Sequence, residues 1–117
     1  MQNVTQREPD AWVSQIRKGV VELAVLGLLA TEPRYGTQLV DDLAGHPGLA
    51  ISAGTVYPLL ARLRKAGLID SRWQESPVGP PRKYYSLTPS GAATLASMTR
   101  AWQSVSDALT TILKEQS

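Results

Sequence analysis

Apolar positions recur at helical spacing along most of the chain, with one interruption past its middle. From Ala11 to Leu29 the pattern reads as one helix, with Trp12, Ile16, Val20, Leu23 and Leu26 or Leu28 facing inward. Gly19 and Gly27 are tolerated inside it at roughly 1 kcal/mol each. Thr31 to Arg34 is a turn, and Gly36 to Ala44 a short second helix with Leu39, Val40 and Leu43 on its apolar side. Gly45-His46-Pro47-Gly48 breaks that helix. In the third helix Val56, Leu59, Leu60 and Leu63 fall at i, i+3, i+4 and i+7 and form one stripe. Pro58, Ala61, Arg62 and Lys65 project away from it, with Tyr57 and Arg64 on one flank and Thr55 on the other. Ser52 or Thr55 caps this helix, and Pro58 argues for Thr55 because proline is tolerated in a first turn. Gly67 suits the left-handed residue that stops it.

The period then switches from helix to strand. Ile69 to Gln74 alternates, with Ile69, Ser71 and Trp73 on one face, and Lys83 to Leu87 is a second strand-like run. The segment between them, Glu75 to Arg82, is too rich in proline and glycine for regular structure, so the pair reads as a hairpin with a long tip. Tyr84 and Tyr85 alternate faces, which assigns one of them to the core. Thr88 caps a last helix with Pro89 at its first position. Along it Leu95, Met98, Trp102, Val105, Leu109 and Ile112 are spaced 3, 4, 3, 4, 3, a heptad seam. That seam is narrower than the stripe of a helix lying on a globular body, so it calls for another helix as partner. Packing on the chain's own first helix is the competing reading, and two faces of one helix allow both.

The expected architecture is mainly α (α+β), a winged helix-turn-helix. Residues 1–10 are a polar, flexible arm, 11–87 the DNA-binding domain with its N-terminal helix, and 88–117 a long C-terminal dimerisation helix. A helix that buries leucines and turns threonine, tyrosine and arginine outward suits a DNA groove, and the basic hairpin supplies a second contact.

At 117 residues the chain fits one domain, and 43% hydrophobic residues suffice for a packed core. The longest apolar run, Val20 to Ala30, is broken by Glu22 and is too short to span a bilayer. The first ten residues lack a hydrophobic signal core, and there is no cysteine, so a cytoplasmic protein without membrane contact is expected. Net charge is only +2, but Ser52 to Lys83 holds six basic and two acidic residues, a local +4. Such a patch favours phosphate, although a solvated helix face would read the same way.

Catalysis finds little support. The single histidine, His46, lies in the Gly-His-Pro-Gly loop, and no nucleophile, paired carboxylate or phosphate loop converges with it. Asp41 and Asp42 read as a helix-surface pair, and with His46 they fall short of a metal-ligand set. No enzyme activity, cofactor or metal is expected.

Several motifs run in a specific order: Gly19 to Leu29, Tyr35-Gly36, Gly54 to Ile69, Pro81 to Tyr85 and Leu87 to Gly91. Together they resemble the PadR family of bacterial transcriptional regulators over most of residues 16–92. The single C-terminal helix resembles its small subfamily. The resemblance implies a homodimer on a palindromic operator, its two recognition helices entering successive major grooves about 34 Å apart. With the exposed helix face, it assigns Thr55, Tyr57, Pro58 and Arg62 to the groove and its phosphate edge. Arg62 would pair with guanine, and Thr55 would meet a phosphate or a thymine methyl. Tyr35 and Gln38 open the second helix and suit phosphate. Arg82 and Lys83 beside the wing tip would grip backbone or minor groove, with Arg72 and Lys65 as outer phosphate contacts. Tyr57 as a half-buried edge residue, and Arg64 as the partner of a nearby acid, are the plainer readings.

In parts of that family planar aromatic compounds bind at the dimer interface near a tryptophan placed like Trp102. The resemblance therefore implies an effector site of Trp12, Met98 and Trp102. Packing of Trp102 in the dimer core alone is the alternative. The expected function is a sequence-specific DNA-binding regulator, a dimeric repressor released by a small effector. Repression is favoured because nothing beyond the DNA and dimer elements is large enough to recruit polymerase. The rival function is a winged helix used for protein contact without specific DNA binding.

Overall fold

The structure, a computed structural model, describes residues 9–116. In chain order the elements are α1 (Pro9–Arg17), α2 (Val21–Thr31), β1 (Arg34–Tyr35), α3 (Gly36–Ala44), α4 (Ala53–Lys65), β2 (Ile69–Gln74), β3 (Arg82–Leu87) and α5 (Pro89–Lys114). The arm expected over residues 1–10 lies outside the described residues except for Pro9 and Asp10, which open α1.

The single helix expected from Ala11 to Leu29 is two. The N–H groups of Gly19 and Val20 reach back three residues, to the carbonyls of Ile16 at 3.1 Å and Arg17 at 3.0 Å, which tightens and ends the first helix. Helix α2 restarts with Glu22 in its first turn, where the helix dipole favours an acid. The break takes α1 out of phase with α2. Val25, Leu26 and Leu29 are buried, whereas Trp12 and Ile16, expected inside, are 38% and 68% exposed.

The core forms where α2, α3 and α4 meet the sheet. Leu39 and Leu43 come from α3, the stripe Val56, Leu59, Leu60 and Leu63 from α4, and Ile69 and Tyr85 from the hairpin. Helix α4 begins after Ser52, whose carbonyl accepts from the N–H groups of Thr55 and Val56 at 3.0 Å. Pro58 therefore stands inside the helix, against the expectation that Thr55 caps it. Proline has no N–H to give the Gly54 carbonyl. Gly54 and Pro58 are both exposed, so water can take up that carbonyl. At the other end Gly67 adopts φ +80°, and the N–H groups of Gly67 and Leu68 close on the carbonyls of Arg64 and Leu63 at 3.0 Å. This pair of bonds is the Schellman stop.

The sheet has the order β1-β3-β2, all antiparallel. Strands β2 and β3 pair from Ile69↔Leu87 to Gln74↔Arg82, so the tip runs over residues 75–81 and Arg82 belongs to the strand. Strand β1 lies at the end of the segment read as a turn, and pairs Arg34 with Tyr85 and Tyr35 with Tyr84. Arg34 secures this corner. Its guanidinium donates to the Leu28 carbonyl and forms an ion pair with Asp42 at 2.8 Å.

Thr88 ties three elements together. Its Oγ1 donates to the Gly67 carbonyl at 2.7 Å and accepts from the Gly91 N–H at 3.0 Å, and its own N–H reaches the Leu68 carbonyl at 3.1 Å. From this knot α5 runs for about 39 Å at 1.5 Å per residue. Leu95 and Met98 pack against the core, but Trp102, Val105, Leu109 and Ile112 remain 44–55% exposed. The start of the seam therefore packs within the chain, and its remainder stays half-exposed.

Candidate nucleic-acid interface

Helix α4 buries one stripe and presents the opposite face, Gly54, Pro58, Ala61 and Lys65, to solvent. Tyr57 and Arg64 flank that face on the hairpin side, and Thr55 and Arg62 on the side of α1 and α2. Small residues at the centre with polar residues at the edges let a helix backbone approach base edges closely.

On the hairpin side Tyr35, Gly36, Thr37, Tyr57, Arg82, Lys83 and Tyr85 line one open cleft of about 510 Å³. Gly36 and Thr37, the first residues of α3, line it, so the positive dipole end of that helix lies at the cleft. Gly36 is needed there because a Cβ would lie 2.4 Å from the Tyr57 ring. Tyr57 is thus seated on α3 backbone and still 40% exposed, the half-buried edge position of the plainer reading. The Arg82 guanidinium lies 4.5 Å over the Tyr35 ring, which meets Tyr84 edge-on at 5.4 Å. Lys83 Nζ lies 5.8 Å from the Trp73 ring. Aromatic faces thus steady both cations without neutralising them. Gln38 is partly occupied, since its Oε1 accepts the Tyr35 N–H at 3.4 Å.

A second cleft joins Tyr57, Ala61, Arg64, Lys65, Asp70, Lys83 and Tyr85. Arg64 donates to Ser71 Oγ at 3.3 Å, a hydroxyl and not the acid expected. Burial raises the Tyr85 phenol above its ordinary value, nearby Tyr57 adds to this, and Arg64 opposes it. Tyr85 is therefore a neutral phenol at physiological pH and leaves the positive charge of the cleft intact. Arg72 stands apart, in register with Tyr84 on the other face of the hairpin, and lines neither cleft.

The far side of α4 holds cations that sequence reasoning missed. Arg17, Lys18 and Ser14 at the end of α1 line a small cleft with Thr55, Ile51 and Val21. Arg17 donates to the Gly48 carbonyl at 3.4 Å. Nothing in local sequence marks these residues, because only the break at Gly19 brings the end of α1 beside α4. Arg62, also on this side, meets Glu22 at 3.4 Å, with 66% of its side chain exposed.

The fold is shared with known proteins. The sequence model of the transcriptional regulator PadR-like family matches residues 25–97, well over half of the chain. The chain belongs to that family. A PadR family transcriptional regulator of Eggerthella lenta superposes with TM-score 0.80 at 38% identity, covering 88% of this chain and 89% of that one. A PadR-like regulator of Bacillus cereus gives 0.78 at 36%, covering 85% and 96%. A transcriptional regulator of Mycobacterium tuberculosis is 36% identical over 87 residues, 74% of this chain and 79% of its own length. The chain is thus a PadR-like transcriptional regulator with a winged-helix fold. Among its described residues no helix is long and apolar enough to cross a membrane.

A further cleft of this PadR-like chain lies away from α4. Ile16, Gly19, Val20, Leu23, Met98, Ala101, Trp102, Val105 and Leu109 line an apolar groove of about 410 Å³ between the α1–α2 turn and α5. It brings Met98 and Trp102 together, as the effector reading requires. Trp12 does not line it; Ile16, one turn further along α1, does.

Proposed function

We propose that this protein binds a palindromic operator as a homodimer and represses transcription until a planar aromatic ligand enters the dimer interface. One observation carries the DNA reading. The exposed face of α4 is bordered on both long sides by cations and hydroxyls, Tyr57, Arg82 and Lys83 on one and Ser14, Arg17, Lys18 and Thr55 on the other. A helix in a major groove meets phosphates on both sides, so a helix with donors on both edges suits that groove. In this reading Pro58 and Thr55 face base edges, and Tyr35, Gln38, Lys65, Arg82 and Lys83 hold phosphates. Arg72 grips an outer phosphate from the opposite face of the wing. The wing of each subunit lies over a flanking minor groove.

The dimer reading rests on the unpartnered seam of α5 and the apolar groove beside it. A second copy of α5 with its own Trp102 fits both, and Leu95 and Met98 lie at the start of that interface. The ligand reading adds that a flat aromatic compound enters between the two tryptophans and favours subunit spacings that miss successive grooves. A variant keeping Trp102 as its sole tryptophan is expected to lose fluorescence when titrated with planar aromatic compounds. Unchanged emission across a broad panel removes the ligand from the reading and leaves the dimer.

Titration into a duplex from the protein's own upstream region, against scrambled DNA at two salt concentrations, tests the DNA reading. Tight, selective and strongly salt-dependent binding is expected. Absence of binding at either salt overturns the reading and favours the protein-contact module.

Two variants separate base from phosphate contacts. Arg62→Ala is expected to cost about 1–3 kcal/mol and to relax one base position. Arg62 must first leave Glu22, but an exposed pair of that kind holds it by only about 0.2–1 kcal/mol. Lys83→Ala is expected to weaken all sequences alike and to flatten the salt slope by about one. Sequence preference measured on randomised duplexes checks both. A selective loss for Lys83→Ala, or an unchanged preference for Arg62→Ala, reverses the assignment.

A further inference from the structure

The tip of the wing differs from the strands that carry it. Residues 75–81, Glu-Ser-Pro-Val-Gly-Pro-Pro, include no lysine or arginine. Val78 at its centre is 84% exposed, more than any other large hydrophobic side chain among the described residues. The tip is also held in shape. Ser76 Oγ donates to the Val78 carbonyl at 2.7 Å, and Gly79 turns the chain at φ +94°. Pro77, Pro80 and Pro81 each fix their own φ near −65°. An apolar point without cations is a poor phosphate grip, and Glu75 at its base repels phosphate.

The cations lie behind that point. Arg82 sits opposite Gln74 on the last rung of the hairpin, and Lys83 opposite Trp73 on the next. Three residues separate this rung from Val78 on each side, a reach of at most roughly 10 Å. The minor groove is about 7.5 Å deep. If Arg82 and Lys83 rest on the phosphates that border the groove, the exposed Val78 side chain ahead of them points into it. Resting on the DNA reading above, we propose that Val78 is an apolar wedge that opens a base step in the minor groove and bends the operator. Proteins that bend DNA from the minor groove place apolar side chains in this way. The consequence is sequence selectivity at a step no hydrogen bond reads. Pyrimidine–purine steps such as TA and CA/TG unstack most easily and should be preferred beneath the wing.

The test uses the full-length protein and a duplex footprinted in its upstream region, with 2-aminopurine at the step under the wing and dyes at both ends. Wild-type protein is expected to raise the 2-aminopurine emission and to bend the duplex by about 20–90°. Val78→Ser should lose most of both signals, and Val78→Leu should keep them. A two-base mismatch at the step removes the unstacking cost, so wild type should bind it about tenfold more tightly than the matched duplex. Val78→Ser should gain less than about twofold. Tight wild-type binding without bending or enhanced emission overturns the wedge and leaves the DNA reading standing. Equal signals from Val78→Ser and wild type do the same. Absence of wild-type binding to any duplex overturns both.

Discussion

Val105→Glu combined with Leu109→Glu is expected to give a folded monomer whose operator affinity is lower by a factor of about 10² to 10⁴. The two residues are one turn apart on α5 and 54% and 49% exposed in the single chain. Neither belongs to the buried core, which ends along α5 at Leu95 and Met98. The isolated subunit therefore gains solvated charge where it had half-exposed methyl groups, and its own fold loses little. A dimer packed on the seam loses much more. Burial of each aliphatic side chain stabilises an interface by about 1.5–3 kcal/mol. Two copies of each residue disappear per dimer, and four carboxylates must then be dehydrated or left facing each other. The affinity loss has a separate origin. Two linked reading heads turn the second contact into an intramolecular event, and a monomer forfeits that gain without losing any contact to its half-site. Sedimentation velocity and far-UV circular dichroism check the first half, and a mobility shift on full and half operators the second. A dimer that persists at micromolar concentration would place the interface elsewhere.

Gly91→Ala is the other substitution with a large effect, and its sign is a contest. Alanine in place of glycine inside a helix stabilises by about 0.5–1 kcal/mol. At Gly91 the added Cβ would lie 2.0 Å from the Leu68 carbonyl oxygen and 2.7 Å from Leu87 Cδ1. The Leu87 side chain can move, but the Leu68 carbonyl is backbone and accepts the Thr88 N–H. Relief therefore separates α5 from the end of α4 and strains the knot made by Thr88. Overpacking of this kind costs about 1–3 kcal/mol or more, and a weakened buried hydrogen bond adds about 1 kcal/mol. The clash outweighs the propensity gain, and Tm should fall by on the order of 10 °C. Gly27→Ala is the matched control, since its Cβ would find nothing within 4 Å inside α2. There only propensity acts, and a small rise in Tm is expected. Thermal unfolding at equal protein concentration compares the two, because dimerisation makes Tm concentration-dependent. A Gly91→Ala protein as stable as wild type would mean that the crossing has room to adjust.

These two effects differ in how far the sequence announces them. The seam of α5 is legible as a repeat, because a helix that meets another helix must place apolar residues at a period of 3.5. The close crossing at Gly91 has no such signature, since the Leu68 carbonyl it meets lies more than twenty residues earlier in the chain. The same division holds across the fold. Helices α3 and α4, the hairpin, the stop at Gly67 and the cap at Thr88 are all local. Each follows from side-chain period or from a residue whose backbone or hydrogen-bonding preference acts within a few positions. Strand β1 escaped because two residues cannot show a period and its pairing with Tyr84 and Tyr85 is distant. The end of α1 at Gly19 escaped because roughly 1 kcal/mol of propensity does not decide between a tolerated glycine and a break. Helix α4 starts after Ser52 in spite of Pro58 because the lost bond falls on the exposed face of the helix.

The candidate interface divides in the same way. Periodicity alone told which residues of α4 point away from the core, and composition told that the hairpin is basic. Amphipathic spacing and local charge are properties of neighbouring residues, so a linear chain carries them. The chain order of Arg17, Lys18 and Thr55 does not reveal that they share a cleft, nor that Glu22 meets Arg62 across forty positions. Those meetings depend on the angle at which α1 leaves α2 and on the packing of α4 beneath both. That angle is the outcome of many weak contacts acting together, and only the folded chain sums them.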